Sequence, residues 1–404
     1  MAERFPLERI PGAVRDIARR LIEAGHETWY VGGAVRDVLL EQIRKRPPPD
    51  LADSIIDIAT SARPEDVQKL FRRTVPIGIE HGTVAVLDED NRPHEVTTFR
   101  KDVTTDGRHA EVAFGVSLED DLARRDFTIN AVAVHPESGE TRDPFGGAKD
   151  LEAGVVRAVG DPATRFREDY LRVLRALRFA STLGFQVEPA TWAAVKAASK
   201  DLANLSRERV RDEWLKTLGA SAPSMALGMW RDAGVLTEVW PELASLPAKL
   251  TLDGIPRDAV LVTAGALVAA GASVPAAQAA AKRMRFSNHD IDRVKGIVQA
   301  MAGALPDPTD AALVRRWMAR NRAVARDAGA VAGGTLLAAV DAALAAKVPL
   351  AIGDLAVTGE DLKESGIPAG PKMGEVLRAL LDAVLEEPAL NTKGALLAKA
   401  KGLP

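Results

Sequence analysis

Beyond about residue 150 this 404-residue chain largely gives up β-branched runs, and Ala, Leu, Arg and Glu recur at helical spacing. Leu171, Leu174, Leu177 and Phe179 illustrate the pattern, interleaved with Arg172, Arg175 and Arg178. Sheet-forming sequence is therefore confined to the first third. There, Trp29-Tyr30-Val31, Ile55 to Ile58, Thr83 to Leu87, Glu95 to Phe99 and Ala131 to Val134 are short strand candidates, parted by turn or charged residues. The expected fold class is α+β: a mixed N-terminal head followed by a long all-helical region. Breakers at Asp143-Pro-Phe-Gly-Gly147, Pro306-Asp-Pro308 and Val348-Pro349 punctuate it. They predict a head over 1–147, a helical neck over 148–218, a helical body over 219–305 and a helical tail over 306–404.

Lys and Arg number 53 against 56 Asp and Glu, a formal charge of −3, so any polyanion must be held by local arginine clusters. The absence of cysteine excludes a disulfide scaffold, an iron–sulfur centre, a thiol nucleophile and Cys-based zinc. No basic segment followed by an apolar run opens the chain, and the expectation is a cytoplasmic protein without a signal peptide. Ala259 to Ala281 carries no charge and is nominally long enough to span a bilayer. It is mostly Ala, Gly, Ser, Thr and Gln and is broken by Pro275, so a packed pair of helices is expected rather than a membrane span.

Gly32-Gly33 follows a strand candidate, and Arg36-Asp37 opens a helical pattern. Paired glycines let backbone approach a phosphate, and a helix start aims N–H groups at it; a plain tight turn is the competing reading. In Ile55-Ile56-Asp57-Ile58 one carboxylate stands inside an apolar run, which is costly unless it is paired, capping or metal-bound. Glu95 sits in a second β-rich run and is a candidate neighbour, and Mg²⁺ suits such oxygen donors. Arg124-Arg125-Asp126-Phe127-Thr128-Ile129-Asn130 gathers cations suited to phosphates with groups suited to sugar hydroxyls. A helix end capped by charge would look the same.

In order, Gly32-Gly-Ala-Val-Arg-Asp37, Asp57-Ile-Ala-Thr-Ser-Ala62, Pro76-Ile-Gly-Ile-Glu-His-Gly-Thr83, Glu95-Val-Thr-Thr-Phe-Arg100 and Arg124-Arg-Asp-Phe-Thr-Ile-Asn-Ala131 lead to Asp143-Pro-Phe-Gly-Gly147 and Glu168-Asp169-x-x-Arg172. Together they resemble the class II tRNA nucleotidyltransferases and bacterial poly(A) polymerases of the polymerase-β-like superfamily, through most of the first 215 residues. The resemblance implies that the glycine pair and Arg36 contact a nucleoside triphosphate, and that Arg125, Asp126 and Asn130 lie near phosphates and ribose. It implies a head-to-neck turn at Asp143 to Gly147, and a flexible loop near Lys101 to Glu111 needed for the last adenosine. Ser206 to Arg211 resembles a neck motif that steadies the selecting helix, and Gly359 to Lys393 resembles the C-terminal region of bacterial CCA-adding enzymes. The implied reaction is addition of C and A to the 3′ end of tRNA from CTP and ATP with Mg²⁺. The alternatives are a poly(A) polymerase, or a partial enzyme adding only CC or only A.

Asp169 and Arg172 stand i,i+3 and are expected to share a helical face. Aspartate only accepts hydrogen bonds and arginine only donates them. Adenine and cytosine each show an amino donor beside a ring-nitrogen acceptor, which this pair complements, whereas uracil and guanine mismatch both groups. A plain salt bridge is the competing reading. Arg175 and Arg178 continue that face, expected to point towards the nucleotide.

One departure from the family pattern stands out. Where Asp-x-Asp is usual, this chain reads Ile55-Ile56-Asp57, just after an apparent insertion from Gln42 to Ser54. Asp53 is the nearest replacement on that side of the strand, but it is about 13 Å away along an extended chain. Three readings remain open: Asp50 or Asp53 swings in, Asp57 and Glu95 suffice, or the chain is a catalytically impaired RNA-binding protein. Arg315, Arg316, Arg320, Arg322 and Arg326 crowd around Trp317 and either track an RNA backbone or form a solvated face. His289 is expected to be solvated at a helix start.

Overall fold

The computed structural model describes residues 4–47, 49–51, 55–105, 110–220 and 222–403. The chain divides into two compact units. Residues 1–213 with 229–239 form the first, and 214–228 with 240–404 the second.

The first unit is built on a seven-stranded sheet. Its strands are β1 (Thr28–Val31), β2 (Asp57–Thr60), β3 (Thr74–Gly78), β4 (Thr83–Leu87) and β5 (Pro93–Thr98). A hairpin of β6 (Arg100–Thr105) and β7 (Ala110–Phe114) stands apart, and β8 (Ala133–Val134) and β9 (Thr141–Arg142) complete the sheet in the order β3-β4-β5-β2-β1-β8-β9. Within this sheet, among the described residues, β2 and β5 are the parallel pair. The strand expected from Ile55 begins at Asp57, and β3, whose Pro76 and Gly78 argue against a strand, is the exposed edge. The segment implied as a flexible loop forms the β6–β7 ribbon, with 106–109 outside the described residues.

Alternation along the strands gives the sheet two cores. Ile56, Ile58, Val84, Val86 and Val96 face helix α1 (Gly12–Glu23) and helix α2 (Gly33–Ile43). In α1, Val14, Ile17, Ala18 and Leu21 are the buried residues, at the i, i+3, i+4, i+7 spacing of a single face. Trp29, Val31, Ala59 and Ala133 face the opposite way, towards Leu118 and Leu122 of helix α3 (Leu118–Ala123). Asp57 is on this second face. The first unit continues through α4 (Pro162–Glu168) and α5 (Leu171–Leu183) and includes residues 207–213 of a further helix, Arg207–Leu218.

In the second unit the uncharged stretch is two helices, Ala259–Ala269 and Val274–Arg283. Asp258 caps the first by accepting from the Val260 and Leu261 amides, and Ser273 caps the second, with Pro275 in its first turn. Among the described residues no helix is long and apolar enough to cross a membrane. Trp214 and Trp240 pack at 4.9 Å between ring centres, and the Trp214 indole donates to Thr263 at 2.9 Å. The arginines around Trp317 are occupied within this unit. Arg315 donates to the carbonyls of Leu385 and Glu386 at the end of helix Pro371–Glu386, and Arg316, Arg322 and Arg326 pair with Glu386, Asp354 and Asp341. Arg320 is exposed, and so is His289.

Candidate active site

Strand β1 ends at Val31, and Gly32 turns the chain into α2 with φ +84°, a left-handed value that favours glycine. The turn also needs the missing side chain, because a Cβ on Gly32 would overlap the Asp57 carboxylate on the neighbouring strand. Gly32→Ala is therefore expected to cost more than about 1 kcal/mol in stability and to displace Asp57, read as a lowered Tm together with lost turnover.

Asp57 and Glu95 open onto one cleft of about 530 Å³. Ile58 pairs with Val96 across parallel strands, so the residues before them, Asp57 and Glu95, are neighbours on one face. Burial pushes the Asp57 carboxyl up; the Arg125 charge opposes this and the Glu95 charge adds to it. Two adjacent carboxylates, one of them costly to bury as a lone anion, form an oxygen donor set that suits a hard divalent cation. No cluster of three or more His, Cys, Asp or Glu able to hold a metal occurs among the described residues. Ile55 contributes no donor, Asp50 is exposed and outside the cleft lining, and Asp53 lies outside the described residues.

The remaining predicted residues line the same cleft: Gly32, Gly33, Arg36, Arg125, Asp126, Asn130, Asp169, Arg172, Arg175 and Arg178. Hydrogen bonds tie several of them together. Arg36 donates to the Asn130 side-chain oxygen at 2.9 Å, and Asn130 donates to Asp126 at 3.0 Å. Asp126 also accepts from Arg175 at 2.7 Å, and Arg178 donates to Glu213 at 2.6 Å. The Phe179 ring lies beneath Arg36, Arg175 and Arg178, 5.0, 5.2 and 4.1 Å from its centre. Buried Asp121 holds both Arg124 and Arg125, while Arg125 Nε is buried with no partner among the described residues, as a group awaiting a ligand would be.

Burial by itself raises the Asp126 carboxyl, but the Arg175 charge and the hydrogen bonds from Asn130, Arg175 and the Phe127 amide together hold it below the usual range. Its stabilising contribution is fully present above the unfolded value near 3.9 and is lost as pH falls below that towards the depressed folded value. Asp126→Asn leaves Arg175 without its principal partner and is expected to cost about 2–4 kcal/mol at pH 7. Urea unfolding of the two proteins should show that gap narrowing below about pH 4.

The pair expected to select the base, Asp169 and Arg172, is arranged differently from expectation. Asp169 is not helical: its φ of −155° and ψ of 105° end α4, and α5 begins two residues later. Its Oδ1 accepts from the Leu171 amide, starting the new helix, and its Oδ2 accepts from Arg209 at 2.7 Å. Arg172 projects from the first turn of α5 and donates to Glu168 at 2.6 Å and to the Arg165 and Arg124 carbonyls at 3.0 Å. The two side chains still reach one cleft, brought there by a helix break rather than by a shared helical face. Upstream, Asp143 accepts from the Gly147 and Ala148 amides at 2.7 and 2.9 Å and so fixes the Asp-Pro-Phe-Gly-Gly turn.

Asp121, Glu213 and Phe179 are residues of the site that its motifs do not single out as such, whereas Arg209, which holds Asp169, falls within the Ser206 to Arg211 neck motif. Asp121 precedes Arg124 and Arg125 by three and four residues, the spacing of a helical ion pair, and was discoverable on that ground. Glu213 reaches Arg178 across 35 residues, with no local signal. Size does not choose the site: a larger hollow of about 1310 Å³ beside Arg4, Arg9, Lys45 and Glu140 is lined by mostly exposed charges of both signs.

A mixed sheet that presents two carboxylates to an arginine-lined cleft, with a glycine turn opening a helix beside them, defines a nucleotidyltransferase. Comparison with known proteins agrees. Residues 28–157 match the poly A polymerase head domain, 184–246 a probable RNA-binding region of polymerase A, and 266–400 the second domain of tRNA nucleotidyltransferases. The CCA-adding enzyme of Levilactobacillus brevis is 36% identical over 97% of this chain and 98% of its own length. The crystal structure of the Bacillus stearothermophilus CCA-adding enzyme in complex with CTP is 32% identical, with a TM-score of 0.79 over 98% of this chain and 97% of that one. The Thermotoga maritima CCA-adding enzyme complexed with tRNA shares the fold at 19% identity, with a TM-score of 0.66 over 98% of this chain and 96% of that one. The chain belongs to the CCA-adding enzyme family.

Proposed function

We propose that this protein adds C, C and A to the 3′ end of tRNA from CTP and ATP, without a nucleic-acid template, and that it works in the cytoplasm. The observation that carries this is the single cleft that joins Asp57 and Glu95 to the base-reading pair Asp169 and Arg172. The head, 1–147, would supply the chemistry and the neck, 148–218, the choice of base. The body, 219–305, and the tail, 306–404, would hold the tRNA by phosphate and shape.

Arg36, Arg125 and the α2 N-terminus receive the triphosphate, Arg175 and Arg178 add positive charge beside it, and Asp126 with Asn130 faces the ribose. Asp57 and Glu95 would hold a divalent cation, with Mg²⁺ matched to their all-oxygen donors. When bound, the cation supplies charge neutralisation at the α-phosphate and the departing pyrophosphate. The RNA 3′-hydroxyl oxygen forms the new bond to the α-phosphorus as the bond to the β-phosphate bridge breaks. Its proton leaves towards the carboxylate side of the cleft. Asp169 accepts from the amino group of cytosine or adenine while Arg172 donates to the adjoining ring nitrogen.

Single-nucleotide incorporation tests this reading. CTP alone should extend tRNA that lacks CCA by two residues, and ATP alone should extend only tRNA ending in CC. Incorporation of neither nucleotide at high enzyme concentration would refute it.

A further inference from the structure

Beyond the carboxylates, and past buried Ala85, the β3 edge of this face carries exposed apolar side chains. Ala85 pairs with Glu95 on one side and with Val75 on the other, so one row across the sheet reads Asp57, Glu95, Ala85, Val75. Val75 is 41% exposed and Ile77, at the bulge between Pro76 and Gly78, is 49% exposed. Ile55 is 68% exposed, and the burial of Ile56 and Ile58 in the opposite core puts it on Asp57's face. The cleft's arginines come from elsewhere: none of those that line it belongs to β3 or β4, and the β4 residue in the lining is Thr83. The carboxylates thus separate a cationic wall from an apolar shelf.

Two substrates must meet at those carboxylates, and they differ in charge. The triphosphate belongs against the arginines. The last nucleoside of an RNA has a free 3′-hydroxyl and no 3′-phosphate, so its base and sugar are the least charged part of the strand. We propose that Ile55, Val75 and Ile77 form a shelf that receives this terminal nucleoside, and that the two substrates reach Asp57 and Glu95 from opposite sides. This rests on the proposed RNA 3′-end reaction. The shelf gives Ile55, where the family pattern has a carboxylate, a positive role as apolar contact area.

The test uses the full chain and two RNAs: a tRNA ending in the first C of CCA, and the same tRNA trimmed of its unpaired 3′ nucleotides. Binding is measured without turnover. The wild-type protein should hold the untrimmed RNA more tightly, and a Val75→Ser/Ile77→Ser variant with unchanged Tm should lose about tenfold on that RNA alone. Ile55→Ser should act in the same direction, and the KM for CTP should stay within about twofold. The shelf is refuted if the folded double variant keeps the wild-type preference or weakens on both RNAs equally. A change in sedimentation with RNA binding intact would also refute it, by assigning the face to a second copy of the chain. A wild-type protein that bound RNA ends but added no nucleotide would refute the reaction while leaving the shelf measurable.

Discussion

Asp57→Ala is expected to lower nucleotide incorporation by about 10³-fold or more with little loss of stability. Asp57 is the carboxylate on which the proposed chemistry converges. It faces Glu95 across parallel strands, its carboxyl is pushed up by burial, and Gly32 has no side chain where one would strike it. Removing a costly buried anion relieves desolvation, so the Tm should hold or rise even as turnover disappears. That opposite movement of activity and stability separates a functional carboxylate from a structural one. Glu95→Gln should follow with a smaller loss, because the neutral amide removes donor charge and also relieves like-charge repulsion on Asp57. Full activity in an Asp57→Ala protein would shift the chemistry to the insertion and its Asp53. Single-turnover incorporation of CTP with saturating RNA is the measurement.

Arg172→Ala is expected to remove about 10²-fold or more of the preference for CTP and ATP over UTP and GTP. Arginine has five N–H donors, and among the described residues three of its hydrogen bonds go to Glu168, the Arg165 carbonyl and the Arg124 carbonyl. These contacts fix the guanidinium plane and leave donors for a base. Asp169 is held in the same way, by the Leu171 amide and by Arg209, with lone pairs left to accept from an amino group. A mismatched base leaves both partly buried groups unsatisfied, and the penalty is lost once Arg172 is gone. The variant's kcat/KM for CTP should fall while that for UTP changes little. Arg209→Ala should erode selection more mildly by loosening Asp169, a loss that Arg209→Lys would only partly restore, since the planar fork is absent.

The residues that carry this chemistry were legible where their physics is local. A carboxylate inside an apolar strand, a glycine pair before a helix and arginines at three-residue steps each announce themselves within a few positions. The break at Asp169 was not legible, because i,i+3 spacing suits a continuous helix as well as a helix whose start is capped by the aspartate itself. The β6–β7 ribbon was likewise hidden within a segment read as a loop, and β3 by its own Pro76 and Gly78. Phe179 belonged to the apolar stripe of α5 in the sequence. Only the fold shows that it also keeps three like-charged guanidiniums around one ring. Glu213 depends on tertiary placement alone, 35 residues beyond the arginine it holds.

Asp57 and Glu95, without a carboxylate at position 55, are proposed to support ordered CCA synthesis. Purified full-length protein should be incubated with Mg²⁺, CTP, ATP and a tRNA that lacks CCA, and the product 3′ ends sequenced. C, C and A should be added in that order and growth should then stop, with no addition in the Asp57→Ala control. Unextended RNA at high enzyme concentration, or long A tails in place of the single terminal A, would contradict it.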